Sequence, residues 1–138
     1  MLRRSTLTIA LGVAVALGSL AAGAAASSPP VKGSSGPLAA TLQPSTHTPT
    51  VNKKWPIVVT ATLKGKPAHA SAVYEYLFNG IVVATRYPNS NKHFTFTGHF
   101  SDNLVFTPPS AGEPLTLRVV IKASGHTVNL DWAVTPQK

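Results

Sequence analysis

Acid–base or metal chemistry in this 138-residue sequence rests on four carboxylates (Glu75, Asp102, Glu113, Asp131) and five histidines (His47, His69, His93, His99, His126). There is no cysteine, and the single methionine is Met1. No two carboxylates stand at a spacing suited to paired acid and base work. Asp131 falls opposite Arg118 and Glu75 lies diagonal to Arg86 in the hairpins derived below, and Glu113 precedes a proline. Asp102 is left as the one acid without an obvious partner. Ser101 and Asp102 beside His99 offer hydroxyl, carboxylate and imidazole, but neighbours along a strand point to opposite faces. No Gly-x-Ser-x-Gly elbow and no phosphate-cradling glycine loop is present. The residues point away from an enzyme, and no catalytic residue or cofactor is assigned.

Metal ligation is the sharper alternative. His93 and His99 share one face of a strand, but six residues of extended chain separate them by about 20 Å. No His-x-His or His-x3-His spacing occurs. A copper- or zinc-binding module of periplasmic type would need histidines gathered from several loops, and no metal ligand is assigned.

The elements that position these groups are strands. Leu115–Ala123 and His126–Val134 flank Ser124-Gly125, and a two-residue turn there fixes a register that can be read at every rung. Ala123 faces His126, Ile121 faces Val128, Val119 faces Leu130, Leu117 faces Trp132 and Leu115 faces Val134. That face is apolar at almost every rung, while the other sets Arg118 opposite Asp131; a slip of one residue would destroy both patterns. A second hairpin spans Ala70–Arg86 around Asn79-Gly80, whose residues suit positive φ. It pairs Phe78 with Ile81, Tyr76 with Val83 and Tyr74 with Thr85 on the expected core face. Leu77 with Val82, Glu75 with Ala84 and Val73 with Arg86 share the other.

Trp55–Lys64 alternates, with Trp55, Ile57, Val59, Ala61 and Leu63 on one face. His93–Phe100 alternates too, interrupted by Gly98 as a bulge or bend. Leu104 and Phe106 add an inward pair, and Leu38–Leu42 a short first strand. The total is seven or eight short strands with turn signals about every ten residues and no helix after the N-terminal segment. The fold class is all-β, an antiparallel β-sandwich over 38–138.

Residues 1–26 read as a signal peptide: Arg3-Arg4, an apolar run from Leu7 to Leu20, then Ala-Ala-Gly-Ala-Ala-Ala. The run is short and rich in Ala and Gly for a spanning helix, so no transmembrane anchor is expected after cleavage. Ser27–Pro37 reads as a flexible leader. Without Arg3 and Arg4, ten basic residues stand against four acids, a net charge of +6. The lysines are scattered, with no basic stripe interleaved with aromatics, so nucleic acid is not an expected partner.

Trp55, the Tyr74-Glu75-Tyr76 strand, the Asn79-Gly80 turn and Ala111-Gly112-Glu113-Pro114-Leu115-Thr116-Leu117 together resemble the immunoglobulin-like or fibronectin type III-like domains of bacterial secreted proteins. The resemblance covers roughly 38–135, without a Cys-Trp-Cys framework or a tyrosine corner. It implies adhesion, scaffolding or ligand binding rather than catalysis. The expected function is a secreted, non-enzymatic binding or structural module at the bacterial cell envelope, its partner a protein or an anionic envelope polymer. Val73, Leu77 and Val82 are the expected apolar contacts of the binding face and Arg86 its polar one, because that face of the second hairpin carries apolar residues that the core does not require.

Overall fold

Both residues of the Ser124-Gly125 turn take left-handed backbone, φ 50° and 78°, as a type I′ hairpin requires. They join β9 (Leu115–Ala123) to β10 (His126–Val134), and every expected rung is present. Leu117, Val119, Ile121, Val128, Leu130 and Trp132 are buried on one face. On the other, Arg118 grips Asp131 with two hydrogen bonds, Nε to Oδ1 at 2.8 Å and Nη2 to Oδ2 at 3.0 Å.

This computed structural model describes residues 28–138; the expected signal peptide lies outside them. The remaining strands are β1 (Val31–Ser35), β2 (Leu38–Pro44), β3 (Trp55–Leu63), β4 (Lys66–Pro67), β5 (His69–Phe78), β6 (Ile81–Arg86), β7 (Thr95–Thr97) and β8 (His99–Leu104). They form two antiparallel sheets, the architecture of an all-β sandwich. One sheet runs β1-β2-β3, with β8 and the short β4 sharing the far edge of β3. The other runs β10-β9-β5, with β6 and β7 sharing the far edge of β5. Among the described residues no helix is long and apolar enough to cross a membrane.

Two expectations are corrected. Val31–Ser35, read as part of a flexible leader, is strand β1, paired along its length with Leu38–Leu42. Its alternate residues are only half covered, so the strand is held by the ladder to β2 and by contact with β10 more than by a hydrophobic face. The stretch His93–Phe100 is not one strand. The chain turns at Gly98 (φ 80°) and passes from β7 in one sheet to β8 in the other, so His93 and His99 share no face.

That crossing is one of two at a single corner, since the chain also changes sheets at Ala68, between β4 and β5. Three backbone hydrogen bonds close a ring there: Ala61 N–H to the Gly98 carbonyl (2.8 Å), Gly98 N–H to Ala68 (2.9 Å) and Ala68 N–H to Ala61 (3.1 Å). At the opposite end, the loop after β2 plugs the sandwich. The Thr46 carbonyl accepts both indole N–H groups, from Trp55 on one sheet (3.2 Å) and Trp132 on the other (3.1 Å). His47 stacks on Trp132 with ring centroids 4.0 Å apart.

A side chain at Gly98 would meet the Pro67 Cβ at 3.1 Å, whereas Gly112 has the same left-handed backbone (φ 83°) in open space. Gly98→Ala is therefore expected to cost about 2 kcal/mol and Gly112→Ala about 1 kcal/mol. Leu117→Ala in the core should exceed both at about 3 kcal/mol. Urea unfolding of the three variants checks the order.

Candidate functional site

The second hairpin departs from its expected register, and the departure builds the site. The Asn79-Gly80 turn and the first two rungs, Phe78 with Ile81 and Leu77 with Val82, are as expected. A bulge between Tyr76 and Leu77 then shifts the pairing, so Tyr76 faces Ala84, Glu75 faces Thr85 and Tyr74 faces Arg86. Val83 is the extra residue. A one-residue shift moves every later side chain to the other face of the sheet. Arg86, expected on the outer face beside Val73, is thereby carried to the inner side with Tyr74.

The four residues expected to form one binding face are thus divided. Val73 sits half-buried on the outer face, opposite Val120. Leu77, expected to be exposed, is only 5% exposed between the Val82 and Thr116 rungs. Val82 is 43% exposed. Arg86 points to a different place. Glu75 likewise does not approach Arg86: its carboxylate lies 3.9 Å from Arg118 Nη1, on the outer face with Asp131.

On the inner side a cleft of about 750 Å³ opens between β6 and the C-terminal half of β8. Its wall on the β5–β6 hairpin is Tyr74, Tyr76, Phe78, Val83, Ala84 and Arg86. The opposite wall is Asp102, Leu104, Val105 and Phe106, with Tyr87 and Asn89 at one side and Glu113 and Leu115 at the other. Phe106 is the buried anchor: its ring meets Trp55 edge-on at 5.5 Å and Tyr76 at 5.8 Å. The indole clamp on Thr46 thus holds the ring on which the cleft floor rests. Tyr76 and Phe78, expected as core, are partly buried, Tyr76 packing against the core from the cleft side.

Asp102, the acid without an expected partner, accepts a hydrogen bond from the Tyr74 hydroxyl at 2.8 Å. The backbone N–H groups of Asn103 and Asn89 also donate to its carboxylate, at 2.8 and 3.4 Å. Burial, reinforced by Asp102, drives the Tyr74 phenol far above the ordinary tyrosine range. Burial also pushes Tyr76 up to about 12, against the opposing pull of Arg86. Both phenols are therefore neutral donors at physiological pH, and neither is a base. Asn89 and Ser90, on the turn beside the cleft, hold consecutive left-handed backbone at φ 53° and 58°, a conformation that costs non-glycine residues free energy.

No protein-family model, no curated protein and no solved structure matches this chain. The site's chemistry has to be read from its own residues.

The histidines do not gather. His47 donates Nδ1–H to the Ala133 carbonyl at 2.6 Å, His69 Nδ1 lies 3.2 Å from Thr97 Oγ1, His93 lies in the loop before β7, and His99 begins β8. Among the described residues no three His, Cys, Asp or Glu side chains are placed to hold a metal ion. Sequence reasoning missed the cleft because it followed the hairpin's ideal register. The available signal was Asp102, an unpartnered acid in the strand that passes the tyrosines.

For the phenols the folded-state pKa lies above the unfolded value of about 10, so their contribution to stability is complete below that pH. It is lost as pH rises through the folded-state values. The protein should lose urea resistance from about pH 10 upward. Tyr76→Phe should lessen that loss between about pH 10 and 12. Unfolding midpoints with tyrosinate absorbance measure it.

Proposed function

We propose that this chain is a secreted, non-enzymatic binding module of the bacterial cell envelope, and that its ligand occupies the cleft between β6 and β8. One observation carries the reading. Five large hydrophobic side chains are exposed among the described residues; two of them, Val83 and Val105, line this cleft from its opposite walls, and Ile81 and Val82 directly precede Val83 on β6. Exposed apolar groups concentrated at a concave, aromatic-lined site are the usual mark of a ligand surface. Arg86 stands among them with no acid in ion-pair range among the described residues. Of the two carboxylates at the cleft, Asp102 is held by Tyr74 and two backbone donors, which suits a fixed binding wall better than proton transfer.

The finer assignment to an immunoglobulin-like or fibronectin type III-like domain draws support from strand order. β2-β3-β8 corresponds to A-B-E of such a domain, and β10-β9-β5-β6 to G-F-C-C′. Secretion is supported by the N-terminal pattern of Arg3-Arg4, an apolar run and a small-residue segment.

Anilinonaphthalene sulfonate has an apolar ring system and one anionic group, matching the apolar lips and Arg86. It should bind the folded protein with enhanced fluorescence and shift the amide resonances of Tyr76, Phe78 and Phe106. Val83 and Val105 are 58% and 55% exposed, so Val83→Asp and Val105→Asp should keep the melting temperature within a few degrees. Both should abolish the fluorescence. Enhancement that survives both substitutions would place the probe elsewhere.

A further inference from the structure

The edge of β6 differs from the other long edges of the two sheets. β1 follows Pro29-Pro30, carries Lys32 and packs against β10. β8 presents His99, Ser101, Asp102 and Asn103, and the exposed residues of β10 include Thr127, Asn129 and Asp131. β6 exposes Ile81, Val82 and Val83 in succession and has no lysine or proline to deter pairing. Unprotected edges of this kind are templates for another strand.

Its backbone is ready for one. In a two-residue hairpin the pair flanking the turn, here Phe78 and Ile81, exchanges hydrogen bonds. The next residue, Val82, therefore turns its N–H and C=O toward the free edge. Beyond the bulge the Thr85 carbonyl is taken by the exposed Arg86 guanidinium at 3.0 Å, a local contact that an incoming strand can displace. The same edge borders the cleft. A strand added there would send alternate side chains inward, past Val83 toward Tyr76, Val105 and Phe106. It would pass Arg86, the cleft's unpaired cation, at the C-terminal end of β6.

We propose that the cleft's occupant is an extended peptide segment of a partner protein, added antiparallel to the free edge of β6. Apolar side chains at alternate positions enter the cleft, and a carboxylate near the segment's N-terminal end meets Arg86. The peptide class follows from a free backbone edge beside a side-chain cleft, a combination that an anionic polymer or a lipid would use only in part. The proposal rests on the cleft being the binding site.

The test uses a capped peptide, Thr-Asp-Thr-Val-Thr-Val-Thr, whose aspartate and valines share one face of an extended strand. Added to the isotopically labelled protein, it should shift the amides of Val82, Thr85, Tyr76 and Phe106 and slow hydrogen exchange at Val82. Arg86→Glu should weaken binding about fivefold. N-methylation of the peptide amides that face β6 should abolish it. Equal binding of the methylated peptide would overturn strand addition while leaving the cleft as the site. Failure of the peptide where anilinonaphthalene sulfonate still binds would overturn the peptide class alone, whereas failure of both would remove the cleft reading as well. Concentration-dependent dimers abolished by Val82→Lys would assign the edge to a second copy of this chain and also overturn the proposal.

Discussion

Three backbone hydrogen bonds among Ala61, Ala68 and Gly98 determine how the two sheets meet. Two of the three crossings between the sheets pass through this ring, and the alanines at it are buried, so no side chain keeps the chains apart. Each of the three residues gives its N–H to one neighbour in the ring and its carbonyl to the other. Replacing one of these bonds with water is not open to a buried backbone group at low cost. The corner therefore ties β4 to β5 and β7 to β8 at one end of the sandwich. Toward the other end β6 and β8 belong to different sheets and are not paired, and the cleft lies between them.

The plug at that other end braces Phe106 behind the cleft through Trp55. Thr46 accepts from both tryptophans, which fixes Trp55 against Phe106 and Trp132 against His47. With no disulfide in the chain, the two sheets are held by packing and by such shared acceptors. The side chains make the same point: no buried side-chain nitrogen or oxygen lacks a partner among the described residues. The Tyr74–Asp102 bond belongs to this framework, since it ties the β5 wall of the cleft to the β8 wall. Arg118 does similar work on the outer face, gathering Asp131 and Glu75 and leaving Arg86 as the cation beside the cleft.

Much of this was legible in the residues. The strict alternation of Leu115–Val134 specified the β9–β10 register because each rung had one apolar and one polar choice. Trp55–Ala61 was equally plain, for the same reason. The β5–β6 hairpin was legible only at its turn. Leu77, Val82 and Val83 are all apolar, so the pattern gave no reason to prefer the ideal register over the bulged one, and that choice decides where Arg86 points. Gly98 announced an irregularity, but whether it bent one strand or moved the chain to another sheet depended on Pro67 and Ala68, thirty residues earlier in the chain. β1 was hidden because a strand held mainly by its ladder needs no hydrophobic alternation.

The absence of cysteine permits a direct measurement of the central claim, that ligand enters between β6 and β8. Val83→Cys and Val105→Cys, introduced together on the two lips and bridged with a bifunctional maleimide, would close the cleft across its mouth. Binding of anilinonaphthalene sulfonate should then be lost in the bridged protein, be retained in the unbridged double variant, and leave the melting temperature at or above its original value. Undiminished binding to the bridged, folded protein would contradict the account.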